Sequence, residues 1–152
     1  MSTLKLAIAS DHAGYIFKER LKQRFEKSDF EIIDFGTDSE EPVDYPDFIG
    51  LAARAVSEGS CQLGIVLGGS GNGEAIVANK FPNIRCAVCW DAKSARLAKE
   101  HNDANIIALG QRMISFNVAE TIVDMWLKSS FKGGRHERRI LKIKEIENGT
   151  FK

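Results

Sequence analysis

The sequence predicts an α/β fold with a parallel sheet covered by helices on both faces. Three observations point there. Short, continuous apolar runs of strand length alternate with helix-length amphipathic stretches along the whole chain. The runs are apolar throughout rather than alternating, as strands buried on both faces are. With 152 residues the chain has the length of one domain with a full core.

In chain order, residues 4–9 read as the first strand and 15–25 as a helix with Ile16, Leu21 and Phe25 near one face. Residues 30–35 are the second strand. A polar, proline-bearing loop over 36–46 leads to a helix from about 47 to 57. Residues 63–67 form the third strand, and a helix begins within 71–80. Residues 84–89 are the fourth strand, 92–100 a helix, and 104–109 the fifth strand. Helices over 116–127 and 135–146 close the chain. There is no internal repeat, linker or low-complexity segment.

Composition narrows the function. Lys and Arg number 21, matching 21 Asp and Glu, so the net charge is zero. That argues against broad capture of nucleic acid or of an anionic membrane. No apolar run approaches the roughly 20 residues that cross a bilayer. The opening Met1-Ser2-Thr3-Leu4-Lys5 lacks a signal peptide's apolar segment, and a cytoplasmic protein is expected. Cys61, Cys86 and Cys89 do not make a disulfide framework. Cys86 and Cys89 form a C-x-x-C inside an apolar run. Residues three apart on a strand point to opposite faces, so the pair does not converge on a metal.

In parallel sheets ligands bind beyond the carboxyl ends of the strands. Three polar or glycine-rich segments fall there: Ser10-Asp11-His12-Ala13-Gly14, Gly68-Gly69-Ser70-Gly71-Asn72-Gly73-Glu74 and Gly110-Gln111-Arg112. The middle one carries most information. Its glycines let the backbone approach a ligand and turn N–H groups towards an anion. A phosphate-binding P-loop would need Lys and then Ser or Thr after Gly73, where Glu74 and Ala75 stand. A dinucleotide fingerprint counted from Gly69 and Gly71 would need glycine at 74, although Asp91 lies near the expected acidic position. Glu74 would repel a pyrophosphate and suits proton abstraction; it also suits the first turn of a helix, where acid complements the dipole.

The other polar groups have structural readings too. Ser10 or Asp11 can cap a helix, with His12 on the surface. His101 ends a helix, where Asn102 can adopt the left-handed cap. Arg135, Arg138, Arg139, Lys142 and Lys144 make a basic stretch that reads as a solvated face. Arg135 and Arg139 are four apart on one side of that helix, and two guanidiniums suit a phosphate monoester.

Together, residues 9–14, the 68–74 loop with Ala78-Asn79-Lys80, Glu100-His101-Asn102-Asp103-Ala104-Asn105 and Gly134-Arg135-His136-Glu137-Arg138-Arg139 resemble type B ribose-5-phosphate isomerases. Allose-6-phosphate and galactose-6-phosphate isomerases belong to the same group. The resemblance implies a Rossmann-like, three-layer α/β/α sandwich with a five-stranded parallel sheet, in one domain over 1–152. It implies a homodimer or dimer of dimers with active sites shared between subunits, the last helix (about 135–147) reaching a partner's site. The implied reaction interconverts D-ribose 5-phosphate and D-ribulose 5-phosphate through a cis-enediolate, in the non-oxidative pentose phosphate pathway, with no cofactor or metal. Many members carry a cysteine base where this chain has Gly68, so the chain resembles the branch whose base is a glutamate at the loop's end, here Glu74. Ser70 keeps the hydroxyl of the cysteine branch's loop threonine. By the same resemblance His101, with Asn102, opens the sugar ring. Asp11 and Tyr45 contact the sugar, and Gly69, Gly71, Asn72 and Gly73 line the loop. His12, Arg112, Arg135 and Arg139 hold the phosphate, the arginines and His101 coming from the partner. The rivals are a six-carbon sugar-phosphate isomerase, a nicotinamide-dependent oxidoreductase and a non-catalytic phosphosugar-binding module.

Overall fold

A computed structural model describes residues 2–152. Five parallel strands lie in the order β2-β1-β3-β5-β4. They are β1 (Lys5–Ser10), β2 (Glu31–Asp34), β3 (Leu63–Gly68), β4 (Cys86–Val88) and β5 (Ile106–Gly110). Six α-helices connect and cover them: α1 (Tyr15–Phe25), α2 (Tyr45–Ser57), α3 (Asn72–Ala78), α4 (Ala92–Asn102), α5 (Phe116–Lys128) and α6 (Arg135–Glu147). The single-domain α/β/α sandwich is therefore the observed architecture.

Strand alternation splits the core into two layers. Leu6, Ile8, Ile65, Leu67, Ile107 and Leu109 face α1, α4 and α5. Ala7, Ala9, Val66, Ile106 and Ala108 face α2 and α3. The smaller residues on the second face let α2 lie close, through its own Ala52, Ala53 and Ala55. Trp126 of α5 is fully buried, and its Nε1–H donates to the Ala104 carbonyl at 2.9 Å. That bond ties α5 to the segment entering β5.

Several elements differ from the sequence expectation for local reasons. The inner face of α1 is Phe17, Leu21 and Phe25, four apart, while Ile16 is exposed. α2 starts at Tyr45, two residues early. Pro46 in its first turn loses nothing there, because those N–H groups have no helical partner. β4 pairs over only three residues. Before it, Arg85 N–H donates to the Asn105 side chain at 2.9 Å, and the Asn79 amide brackets Cys86 at 2.8 and 2.9 Å. α4 runs through Asn102, so the left-handed residue is Asp103 (φ 44°, ψ 48°) and not Asn102.

α6 lies across the edge where the strands begin. Lys132 N–H, just before it, donates to the Glu100 carbonyl at 3.0 Å. At its other end Glu147 accepts from Asn83 N–H at 3.0 and 3.1 Å. Leu141, Ile143 and Ile146 remain exposed on it.

Replacing Trp126 by Phe should lower stability by about 1–3 kcal/mol, because the Ala104 carbonyl loses its donor. Replacing it by Ala should cost about 3–5 kcal/mol. Urea denaturation midpoints with unchanged slope check both.

Candidate active site

At the carboxyl end of β3 the chain leaves the sheet at Gly68 and enters α3 after Gly71, which adopts a left-handed conformation (φ 87°). Glu74 sits in the first turn of α3 and points back over β3. Its side chain is 3% exposed. A Cβ built on Gly68 would overlap Glu74 Oε1 and Cδ outright. The carboxylate therefore occupies the space that any side chain at 68 would need. Burial pushes its pKa above the usual glutamate range and the Asp11 charge adds to this, against backbone N–H groups of Glu74 and Gly71.

The β1 loop packs against the same edge. Asp11 caps a 3-10 turn, His12–Gly14, with Oδ1 accepting from Ala13 N–H at 2.9 Å and Gly14 N–H at 3.1 Å. One carboxylate oxygen is thus committed to the backbone, so the capping reading holds for Asp11 and not for Ser10. His12 Nδ1 accepts from Val43 N–H at 3.1 Å. Neutral His12 must then carry its proton on Nε2, where it is free to donate. Ser70 Oγ accepts from Asn72 N–H at 3.2 Å. The Asn72 N–H is thus engaged, leaving the Ser70 hydroxyl proton and the amides nearby as donors. The Tyr45 ring lies on Gly73, where a Cβ would stand 2.7 Å from it.

Arg112 departs from the expectation that it reaches the site from a partner. Its own N–H donates to the Gly69 carbonyl at 3.0 Å, and its Nη1 lies 3.3 Å from where a Gly69 Cβ would be. Its guanidinium therefore belongs beside the loop of its own chain.

Asp11, His12, Tyr45, Gly69, Ser70, Gly71, Asn72, Gly73, Glu74 and Arg112 thus gather at one edge. His101, Asn102, Arg135 and Arg139 do not join them. Asn102 contributes its carbonyl to Arg85 Nε at 2.7 Å, at the amino end of β4. Arg135 opens α6 at that same edge, and α6 is fastened there. The five residues of β5 separate the two edges, about 16 Å at roughly 3.3 Å per residue. Within one chain the two groups cannot touch one ligand.

The sequence reading missed His136. It is 7% exposed, and its ring stacks on His101 with centroids 4.2 Å apart and planes 13° from parallel. A signal existed: His136, Ile140 and Ile143 recur at the spacing of one helix face.

The rival chemistries lose their residues to structural roles. Asp91 caps α4, accepting from Ser94 N–H at 2.7 Å while Ser94 Oγ accepts from Asp91 N–H at 3.1 Å. Cys86 and Cys89 face opposite layers, as expected. Burial pushes all three thiols up, Cys89 to about 12. No group of three or more His, Cys, Asp or Glu side chains gathers as metal ligands among the described residues.

The sequence profile of ribose/galactose isomerases matches residues 6–143, nearly the whole chain. The chain belongs to the ribose/galactose isomerase family. Ribose-5-phosphate isomerase B of Escherichia coli is 41% identical over 143 residues, covering 94% of this chain and 96% of that one. The ribose-5-phosphate isomerase B structure from Clostridium thermocellum superimposes with a TM-score of 0.94 at 51% identity, over 96% and 99% of the two chains. The Mycoplasma genitalium enzyme, solved with bound ribulose-5-phosphate, gives 0.93 at 36% identity, over 97% and 99%. Both solved structures share the fold over nearly the whole chain.

In this family member, Gly68→Ala should displace the Glu74 carboxylate, the flexible partner in that overlap, and leave the sheet intact. A near-native melting temperature with roughly 10²–10⁴-fold lower turnover is the expected result if the carboxylate is the base.

Proposed function

We propose that this protein interconverts D-ribose 5-phosphate and D-ribulose 5-phosphate. The observation that carries the reading is the buried Glu74 carboxylate seated over Gly68 inside a cradle of backbone N–H groups. Relatives named ribose-5-phosphate isomerase B, and one structure with bound ribulose-5-phosphate, favour the five-carbon substrate over a six-carbon one.

Glu74 is the base. It takes the proton from C2 and returns it to C1, while the hydroxyl proton on O2 passes to O1. The enediolate oxygens meet the amide of Gly73 and the Ser70 hydroxyl, while the Gly71 amide holds the Glu74 carboxylate, one such oxyanion donor being worth about 3 kcal/mol. A raised pKa makes Glu74 a stronger base once ionised, and the surrounding low dielectric strengthens those hydrogen bonds. Asp11 and Tyr45 hold the sugar hydroxyls. His12 Nε2–H and Arg112 take the phosphate from the loop's own chain.

His101 opens the furanose, assisted by Asn102, and Arg135 and Arg139 complete the phosphate site. Because these four lie at the far edge of their own chain, they come from a second copy. The reading therefore includes a homodimer or a dimer of dimers with two chains per site. Support comes from the exposed Leu141, Ile143 and Ile146 of α6, and from a hollow of about 630 Å³ lined by Cys86, Asn102, Ile143 and Ile146. Both are apolar surface that a second copy can cover. A cytoplasmic location suits a doubly charged substrate that does not cross a bilayer unaided.

A cofactor-free assay with ribose 5-phosphate tests the reaction. Glu74→Gln should lower kcat by roughly 10²–10⁴-fold or more. The native enzyme's kcat/KM should fall on acidification through a pKa above the ordinary glutamate value, because the base works only when ionised and burial raises its pKa. Native turnover in Glu74→Gln would remove the assignment.

Subunit sharing has its own test. Glu74→Gln and Arg135→Ala chains, each inactive alone, should recover about a quarter of native activity when randomly mixed as dimers. Half the dimers are then hybrids with one intact site of two. Confirmed hybrids without activity would place both residues in the same chain's site.

A further inference from the structure

Of the three histidines, only His12 has a ring nitrogen in a hydrogen bond among the described residues. His101, in the last turn of α4, has no such restraint, yet a group that moves protons must present its nitrogen within hydrogen-bond reach. What lies against it is His136, from the first turn of α6, in the near-parallel stack described above. His136 is itself buried, and its backbone N–H is fixed on the Gly133 carbonyl at 3.1 Å.

We propose that His136 is a positioning residue for His101: its stacked ring fixes the plane in which His101 presents a nitrogen to the ring oxygen of the cyclic sugar phosphate. This rests on the role given to His101 above.

The surroundings make His136 a plate and not a second acid. Burial first, then the charges of His101, Arg135, Arg139 and Lys132, hold its pKa below the usual histidine range. The nearby acid on α4, Glu100, is already paired with Arg96 at 2.8 Å and Lys132 at 3.2 Å. A neutral imidazole can stack on His101 whether or not His101 carries a proton, which two imidazolium rings beside three cations would resist. His136 thus acts through its flat face. It need not touch substrate.

Three substitutions separate stacking from packing. His136→Phe keeps a flat ring, His136→Leu fills a similar volume without one, and His136→Ala removes both. Each is compared with the native protein for kcat, KM, melting temperature, oligomer size and the isotope effect of [2-²H]ribose 5-phosphate. His136→Leu and His136→Ala should lose roughly 10-fold or more in kcat with KM within about 2-fold, a loss of alignment. Their C2 isotope effect should fall towards unity, because ring opening has become the slow step. His136→Phe should stay within about 3-fold of native kcat. Native kcat in His136→Leu, an isotope effect at or above the native one, or a His136→Phe as slow as His136→Leu would each overturn the proposal. If the native protein has no isomerase activity, or His101→Asn retains full activity, the underlying reading fails instead.

Discussion

The loop edge of this protein hangs on main-chain contact at the end of β3. A Cβ at Gly14 would stand 2.6 Å from the Leu67 carbonyl carbon, and one at Gly110 would stand 2.6 Å from that of Ser70. Those glycines let the loops after β1 and β5 press directly on the loop after β3. Asp11 N–H, Gln111 N–H and Arg112 N–H then donate to the carbonyls of Leu67, Gly68 and Gly69 at 3.3, 2.8 and 3.0 Å. Backbone hydrogen bonds, not side chains, thus set the spacing of the three loops. Side chains on them inherit positions that rotamer changes cannot blur.

Glu74 is the costly member of that arrangement. It sits where the positive end of α3 offers some relief. No cation among the described residues is bonded to it, burial disfavours its ionisation, and the Asp11 charge opposes it further. The main stabilising lysine–carboxylate cluster lies elsewhere, where fully buried Lys18 meets Asp34 at 2.6 Å and Glu19 at 3.0 Å. There burial alone would raise the Asp34 pKa, yet the hydrogen bonds from Lys18, Lys22 and Gly36 leave it lowered. A part-exposed carboxylate held by two lysines and a buried one held by none among the described residues are thus shifted in opposite directions.

Much of this was legible in the sequence because periodicity reports layers well. The limits of α1 and the order of strands and helices followed from apolar spacing alone. What was not legible depended on partners distant in sequence. Nothing local tells whether Asn102 or Asp103 turns left-handed, since either side chain tolerates that region. Nothing local shortens β4 to three residues; the amides of Asn79 and Asn105 do so from other segments. The motifs singled out His101 and Arg135, but the edge on which each lies required strand direction. His136 escaped because a histidine between charged residues reads as surface until its helix is docked.

The cysteines give the loop a last property. Cys61 and Cys89 are buried, and burial keeps the thiolate scarce at all three cysteines. The thiolate is the form that peroxides and electrophiles attack. A cradle furnished with a carboxylate and no sulfur presents no thiol for them to oxidise or alkylate. Its chemistry is thereby insulated from the redox state of its surroundings.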